Sequence, residues 1–324
     1  MLRLLFLLLA FACQFAWSAE RGLVRLADPA GDDTGNGTLV YPNGGELRPG
    51  DLDLRSLAVS RNEAGFTFVA TFNNRIQEKW WLPDEALGTS SQTGKPLLPF
   101  NFNLDIYLDT DRKNGSGFLF TLPGRKVRID SRYAWERVIV LSPQPKSLRA
   151  QLLATLKKNF PERPQKDAEN SIDETMFFAG KQRILDNAIS FFVPSAFIGA
   201  SDGANWAITA FVTAAAPVQA DANLGVMQPA QLPAAGGIGY NGAIAPPPIV
   251  DAMLPTAELQ VRKLAAGESL TGLSWGPSAN NELEFEDLSR SFASRLKSLR
   301  DMRDQGLLTE ADFNAQRQRL LGEL

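Results

Sequence analysis

Histidine is absent from the chain. That absence removes the commonest general base, the usual zinc ligand and any Ser-His-Asp arrangement. Cysteine occurs once, at Cys13, so disulfide and metal-thiolate frameworks are excluded as well. Long apolar runs are confined to the start, "MLRLLFLLLAFACQFAWSAE". One arginine, an apolar run from Leu4 to about Cys13, and small residues around Ser18 and Ala19 read as a secretory signal peptide over residues 1–19. Cleavage after Ala19 would remove the only cysteine; lipidation at Cys13 is the alternative reading. No later segment approaches about 18 consecutive apolar residues, so no transmembrane span is expected in the mature chain. An exported protein, periplasmic or extracellular, is the expectation.

A stripe of one charge sign is also missing. Thirty-three Lys and Arg against 36 Asp and Glu are scattered along the chain, which leaves no footprint for nucleic acid. Carboxylate-pair hydrolysis survives these exclusions, because it needs only Asp and Glu.

What is present reads mainly as β-structure. "LDLRSLAVS" and "FTFVATF" alternate apolar and polar residues around the turn "RNEAG", the pattern of a hairpin with one buried face. "FNLDIYL", "GFLFTL", "KVRI", "WERVIVL", "AISFFV" and "NWAITAFV" follow, each bounded by Gly, Pro, Asn or Asp. Short strands in this number predict an antiparallel β-sandwich. "SLRAQLLATLKKNF" places Leu148, Leu152, Leu153 and Leu156 at helical spacing; it predicts a helix or irregular arm leading into the polar surface excursion "PERPQKDAENS". Residues 214–250, rich in Ala, Gly and Pro without period, predict an extended or mobile segment. "PPPIVDAMLP" then restores apolar weight. Residues 264–285 read as a linker. In residues 286–324, Leu288, Phe292, Leu296, Leu299 and Met302 recur at three and four, Gly306 stops the run, and Thr309 caps a second helix bearing Phe313, Leu320 and Leu321. This predicts a small C-terminal α-helical hairpin whose apolar face needs a partner.

"DPAGDDTGNGTLVYP", "PGDLDLRSLAVS", "DIYLDTD", "GSGFLFTLPGR", "AWERVIVL" and "PPPIVDAMLP" occur in that order. In this the chain resembles the carbohydrate-binding-like, DOMON-like sandwich at the C-terminus of glucodextranase and amylopullulanase, over residues 20–263. "LRDMRDQGLLTEADFNAQRQRLL" is similar to the short C-terminal domain SHOCT. The resemblance implies a secreted sandwich that, in its relatives, rides beside a glycoside hydrolase; no hydrolase module is evident here. Haem, bound by some DOMON domains, lacks a histidine to ligate it.

Three carboxylate groups are candidate metal ligands: Asp28 with Asp32 and Asp33, Asp51 with Asp53, and Asp109 with Asp111. Crowded carboxylates repel unless a cation or backbone donors compensate them, and calcium takes six to eight oxygens from carboxylates and the carbonyls of Gly-rich turns. Calcium is therefore the expected ion. Asp and Gly equally populate turns, and Asp109 with Asp111 suits a loop closed by side-chain to backbone bonds. "DTDRKNGSG" lacks the bidentate Glu of an EF-hand. Trp80 and Trp81, adjacent in polar "QEKWWLPDE", cannot both point inward if extended, and form the candidate platform for a sugar ring. Trp135 and Trp206, within strand runs, are expected in the core. The expectation is a non-catalytic, calcium-stabilised module for a glycan or cell-envelope polymer, with a hairpin for oligomerisation or docking to a protein partner. A carboxylate-pair glycoside hydrolase, or a hydrolase accessory subunit, is the alternative.

Overall fold

The computed structural model describes residues 21–42, 47–77, 80–81, 97–199, 203, 205–216, 223–231, 237–274 and 313–314. The signal segment and nearly all of the C-terminal hairpin therefore lie outside the described residues; of the hairpin only 313–314, helical and with Phe313 buried, is described.

In chain order the strands are β1 (Arg21–Ala27), β2 (Leu39–Val40), β3 (Leu54–Arg61), β4 (Gly65–Phe72), β5 (Trp80–Trp81), β6 (Leu97–Leu98), β7 (Phe102–Asp109), β8 (Arg137–Leu141), β9 (Met176–Ala179), β10 (Gln182–Leu185), β11 (Ala188–Pro194), β12 (Ala207–Ala214), β13 (Gly239–Tyr240), β14 (Asp251–Ala252) and β15 (Leu273–Ser274). The helices are α1 (Pro145–Asn159), α2 (Gln165–Thr175), α3 (Ser195–Ile198) and α4 (Ala257–Ala266). One sheet runs β1-β3-β4-β11-β10, and the second β14-β12-β7-β8-β9, with β15 also paired to β12. The protein is a mainly β sandwich.

The period-2 patterns hold where one face meets solvent. In β4, Phe66, Phe68, Ala70 and Phe72 point inward while Thr67, Val69 and Thr71 are half-buried. These phenylalanines meet the second sheet across the main core; the rings of Phe72 and Phe102, for example, lie 4.4 Å apart. All eight residues of β7 and of β12 are buried. The second sheet is covered on both faces, so alternation is lost there. A second apolar cluster, including Tyr107, Trp135, Val138, Val140, Leu148, Ile172, Phe211 and Leu254, fills the space on its outer face.

That outer layer accounts for several differences from the sequence reading. The polar stretch "PERPQKDAENS" enters α2 from Gln165 onward, and that helix together with α1 packs Leu148, Leu152, Ala168 and Ile172 inward. The two helices form the crossover between β8 and β9, which pair in parallel, as a crossover of this length permits. "GFLFTL" and "KVRI" make only isolated bridges, Phe118 with Trp135, Phe120 with Arg128 and Ile129 with Leu270, on an arm outside both sheets. Arg125, fully buried, pins that arm: its Nε and Nη2 donate to Asp105 at 2.7 and 3.2 Å, and Nη1 donates to the carbonyls of Pro123 and Leu224. The sandwich also continues into the expected linker. Thr256 caps α4 by accepting from the Leu259 N–H, Gly267 ends it with φ +65°, and β15 returns to β12. Trp135 and Trp206 are core residues, as expected.

Candidate functional site

The stretch after β1 cannot continue the sheet, because Pro29, Gly31 and Gly35 break it. Gly31 takes φ +77°, a short 3-10 run over Asp32–Gly37 follows, and Gly35 within it is left-handed. A Cβ on Gly35 would lie 2.5 Å from the Thr38 hydroxyl, which itself donates to the Gly35 carbonyl. This turn folds its acids inward. Asp28, Asp32 and Asp33 are all buried, as are Asp53 just before β3 and Asp251 on β14.

One oxygen each from Asp28, Asp32 and Asp251 lies within 4.8 Å of the others. Asp53 adds a further negative charge that acts on all three. Each acid is also a clasp between distant parts of the chain. The Leu254 N–H donates to Asp28 Oδ1 at 3.0 Å, the Leu54 N–H to Asp251 Oδ2, and the Gly31 N–H to Asp53 Oδ2 at 2.8 Å. Gln260 on α4 donates to the Asp32 carbonyl and accepts from the Ala252 N–H. Asp33 turns aside, with Oδ2 accepting from the Tyr41 hydroxyl at 2.6 Å and the Gly50 N–H at 2.7 Å.

These bonds leave oxygens over. Asp28 Oδ2, both oxygens of Asp32, and Oδ1 of Asp33, Asp53 and Asp251 are buried without a hydrogen-bond partner. Arg55 pairs with the group, its Nη1 standing 3.7 Å from Asp53 Oδ1. Burial, then the charges of Asp251 and Asp32, pushes the Asp28 carboxyl up to about 11; burial, then Asp53 and Asp33, pushes Asp32 up to about 7. Burial and the charge of Asp32 raise Asp251 well above the usual carboxylate range, and burial raises Asp33 and Asp53. A divalent cation would reverse this logic, since it favours the ionised form of every ligand. The unpartnered oxygens of these acids are the donor set of a hard cation and of calcium in particular; Arg55 Nη1 beside Asp53 is likewise buried without a hydrogen-bond partner. A cleft of about 310 Å³ lies between the 3-10 run and α4, lined by Asp32, Thr34, Glu258 and Arg262 among others.

The three candidate groups read from the sequence hold seven acids, and the structure divides them. Asp28 and Asp32 converge with Asp251 at the clasp, Asp53 stands near enough for its charge to act on them, and Asp33 adjoins the group but is bonded to Tyr41 and Gly50. Asp109 and Asp111 lie in a separate group with Glu136. There the Arg112 N–H donates to Asp109 Oδ1, Lys113 N–H and the Ser116 hydroxyl to Asp111, and the Thr110 N–H and hydroxyl to Glu136 Oε2. Arg112 and Lys113 stand 3.8 and 3.9 Å from Asp109 and Asp111. Most of this charge is compensated inside the loop, although Asp109 Oδ2 keeps no hydrogen-bond partner and burial pushes Asp109 up to about 6. Asp51, read with Asp53, instead closes a turn by accepting from the Arg48 N–H and the Asn74 side chain. Asp251 was not among the sequence candidates. Its signal was an acid standing alone in the apolar run "PPPIVDAMLP". Trp80 and Trp81 form β5, paired with Leu97–Leu98, and their side chains lie outside the described residues.

Comparison with known families matches residues 23–270 to the C-terminal binding-module, SLH-like, of glucodextranase. The chain belongs to this family. The match is to a binding module and not to a catalytic domain, and it takes in both sheets except β15 and the first residues of β1, together with the carboxylate clasp and α4. Residues 294–321 match the short C-terminal domain, SHOCT. Comparison with curated proteins returned no match. Among the described residues no helix is long and apolar enough to cross a membrane.

Proposed function

We propose that this protein is an exported, non-catalytic module that binds carbohydrate or a carbohydrate-containing envelope polymer, and that one calcium ion held by Asp28, Asp32, Asp53 and Asp251 locks the sandwich in its binding-competent form. The observation that carries the calcium reading is the set of buried carboxylate oxygens without partners. Leaving a buried polar group unpaired costs about 1–3 kcal/mol, and more for a charged one, so four such acids in one place call for a compensating ion. The carbohydrate reading rests on the family, whose description is that of a binding module belonging to a sugar-polymer hydrolase. The ion's role is structural: its ligands come from the loop after β1, the start of β3 and β14, and it would reinforce the hydrogen bonds that already clasp these segments together. The C-terminal hairpin supplies association, with itself or with another envelope protein.

Calorimetric titration of the purified mature protein with calcium tests the metal reading. A single ion per chain in wild type, and none in Asp251→Asn, supports it; no binding by wild type after stripping with chelator, with no metal in the protein as purified, refutes it.

A further inference from the structure

The arm outside the two sheets carries a feature that the carboxylate clasp does not explain. Phe118 and Phe120 are 54% and 66% exposed, while Leu119 between them is half-buried. Residues i and i+2 of extended chain face the same side about 6–7 Å apart, so both rings stand on one outward face. Neither ring is loose. The Phe118 N–H donates to the Trp135 carbonyl at 2.8 Å, the Trp135 N–H donates to the Phe118 carbonyl at 3.0 Å, and the Trp135 indole Nε1 donates to the Phe120 carbonyl. Trp135, buried, backs Phe118 at 5.0 Å between ring centroids and rests in turn on Tyr107 at 5.2 Å. On the neighbouring segment the Arg128 guanidinium sits 4.6 Å from the centre of Phe120, and its N–H groups have no acceptor among the described residues.

We propose that Phe118 and Phe120 form a stacking strip for a polysaccharide chain, with Arg128 donating to its hydroxyls. The proposal rests on the carbohydrate reading above and assigns its site; it is independent of calcium. Each ring is held on one side by the protein, by Trp135 for Phe118 and by Arg128 for Phe120, which lowers the ordering cost of binding. A ring face takes the C–H side of a sugar while a guanidinium fork with five donors serves its hydroxyl edge. The size of the strip argues against a protein occupant. Two phenylalanines bury at most about 300–500 Å², well below the roughly 800 Å² per partner of a stable protein interface.

Affinity gel electrophoresis of the mature full-length protein in dextran, amylopectin and a mixed-linkage β-glucan provides the test. Retardation of wild type by at least one polymer is expected. Phe118→Ala with Phe120→Ala should weaken that binding roughly tenfold or more, as expected when two ring contacts are lost, with the melting temperature little changed because both side chains are exposed. Phe118→Tyr with Phe120→Tyr keeps the rings and should bind within about twofold of wild type, which separates lost stacking from lost fold. Retardation of the folded double-alanine variant equal to wild type overturns the strip and leaves the carbohydrate reading standing. Failure of wild type to be retarded by any of the polymers overturns both.

Discussion

If calcium fills the carboxylate clasp, its effect on stability must grow with pH, and the sign follows from the acids themselves. In the metal-free fold Asp28 holds its proton up to about 11 and Asp32 up to about 7, whereas in the unfolded chain both ionise near 3.8. Below that value the two states carry the same protons and nothing is lost. Above it the folded chain binds more protons than the unfolded one, so stability falls as pH rises, by at most about 1.4 kcal/mol per pH unit for each carboxyl. Asp32 stops contributing to the slope above about pH 7; Asp28 continues to about 11. Between pH 5 and 6 the two together remove up to roughly 3 kcal/mol. Calcium needs the ionised ligands and displaces those protons, so it binds weakly at pH 5 and strongly at pH 8. At a hundred times its dissociation constant it adds about 2.7 kcal/mol. For a domain of this size that raises the melting midpoint by roughly 5–10 °C. Thermal melts followed by tryptophan fluorescence, in millimolar calcium and in chelator from pH 5 to 8, measure both effects. Equal midpoints in calcium and chelator at pH 8 would refute the clasp as a metal site. A calcium shift of the same size at pH 5 and pH 8 would refute the proton-release argument.

Other outcomes follow from the packing. Arg125→Met strands the buried Asp105 carboxylate and should cost about 3–5 kcal/mol, most of it recovered in the double variant Asp105→Leu with Arg125→Met; urea unfolding of the three proteins measures the difference, and equal losses in single and double variants would show that the ion pair is not the cause. Gly124 has φ +88° and a Cβ there would run into the backbone of Asn223, so Gly124→Ala should lower stability by more than the roughly 1 kcal/mol of an ordinary glycine exchange, read from the same denaturant curves. Truncation at Ser278 lies beyond β15 and should leave the melting midpoint of the sandwich unchanged. Light scattering on the full-length and truncated proteins shows whether the hairpin self-associates: a lower mass after truncation is expected, and equal monomeric masses would leave a foreign partner as its use.

The strands with one wet face were legible because solvent imposes period 2. β3, β4 and β11 lie where alternation put them, and the leucines of α1 lie on the face that their spacing marked. The motif order was also sufficient to place the chain in its family. β7 and β12 read as strands, but their burial on both sides did not show, since it depends on α1, α2 and the 118–135 arm closing over the second sheet. α2 is polar over most of its length and carries only Ala168 and Ile172 inward, too faint a stripe to separate a packed helix from a surface loop.

The candidate site divides along the same line. Local crowding of charge made Asp28, Asp32 and Asp33 visible, because like charges a few residues apart need compensation wherever the chain goes. Asp251 stands 219 positions beyond Asp32 in number, and its approach depends on β14 pairing with β12 and on α4 packing against the 3-10 run. The exposure of Phe118 and Phe120 is likewise a tertiary fact: "GFLFTL" has the composition of a core strand, and only its exclusion from both sheets turns those rings outward. Residue type and period decide which face of an element is apolar; which acids share a cavity, and which aromatic rings remain at the surface, are decided by how the sheets and their covering layer close around one another.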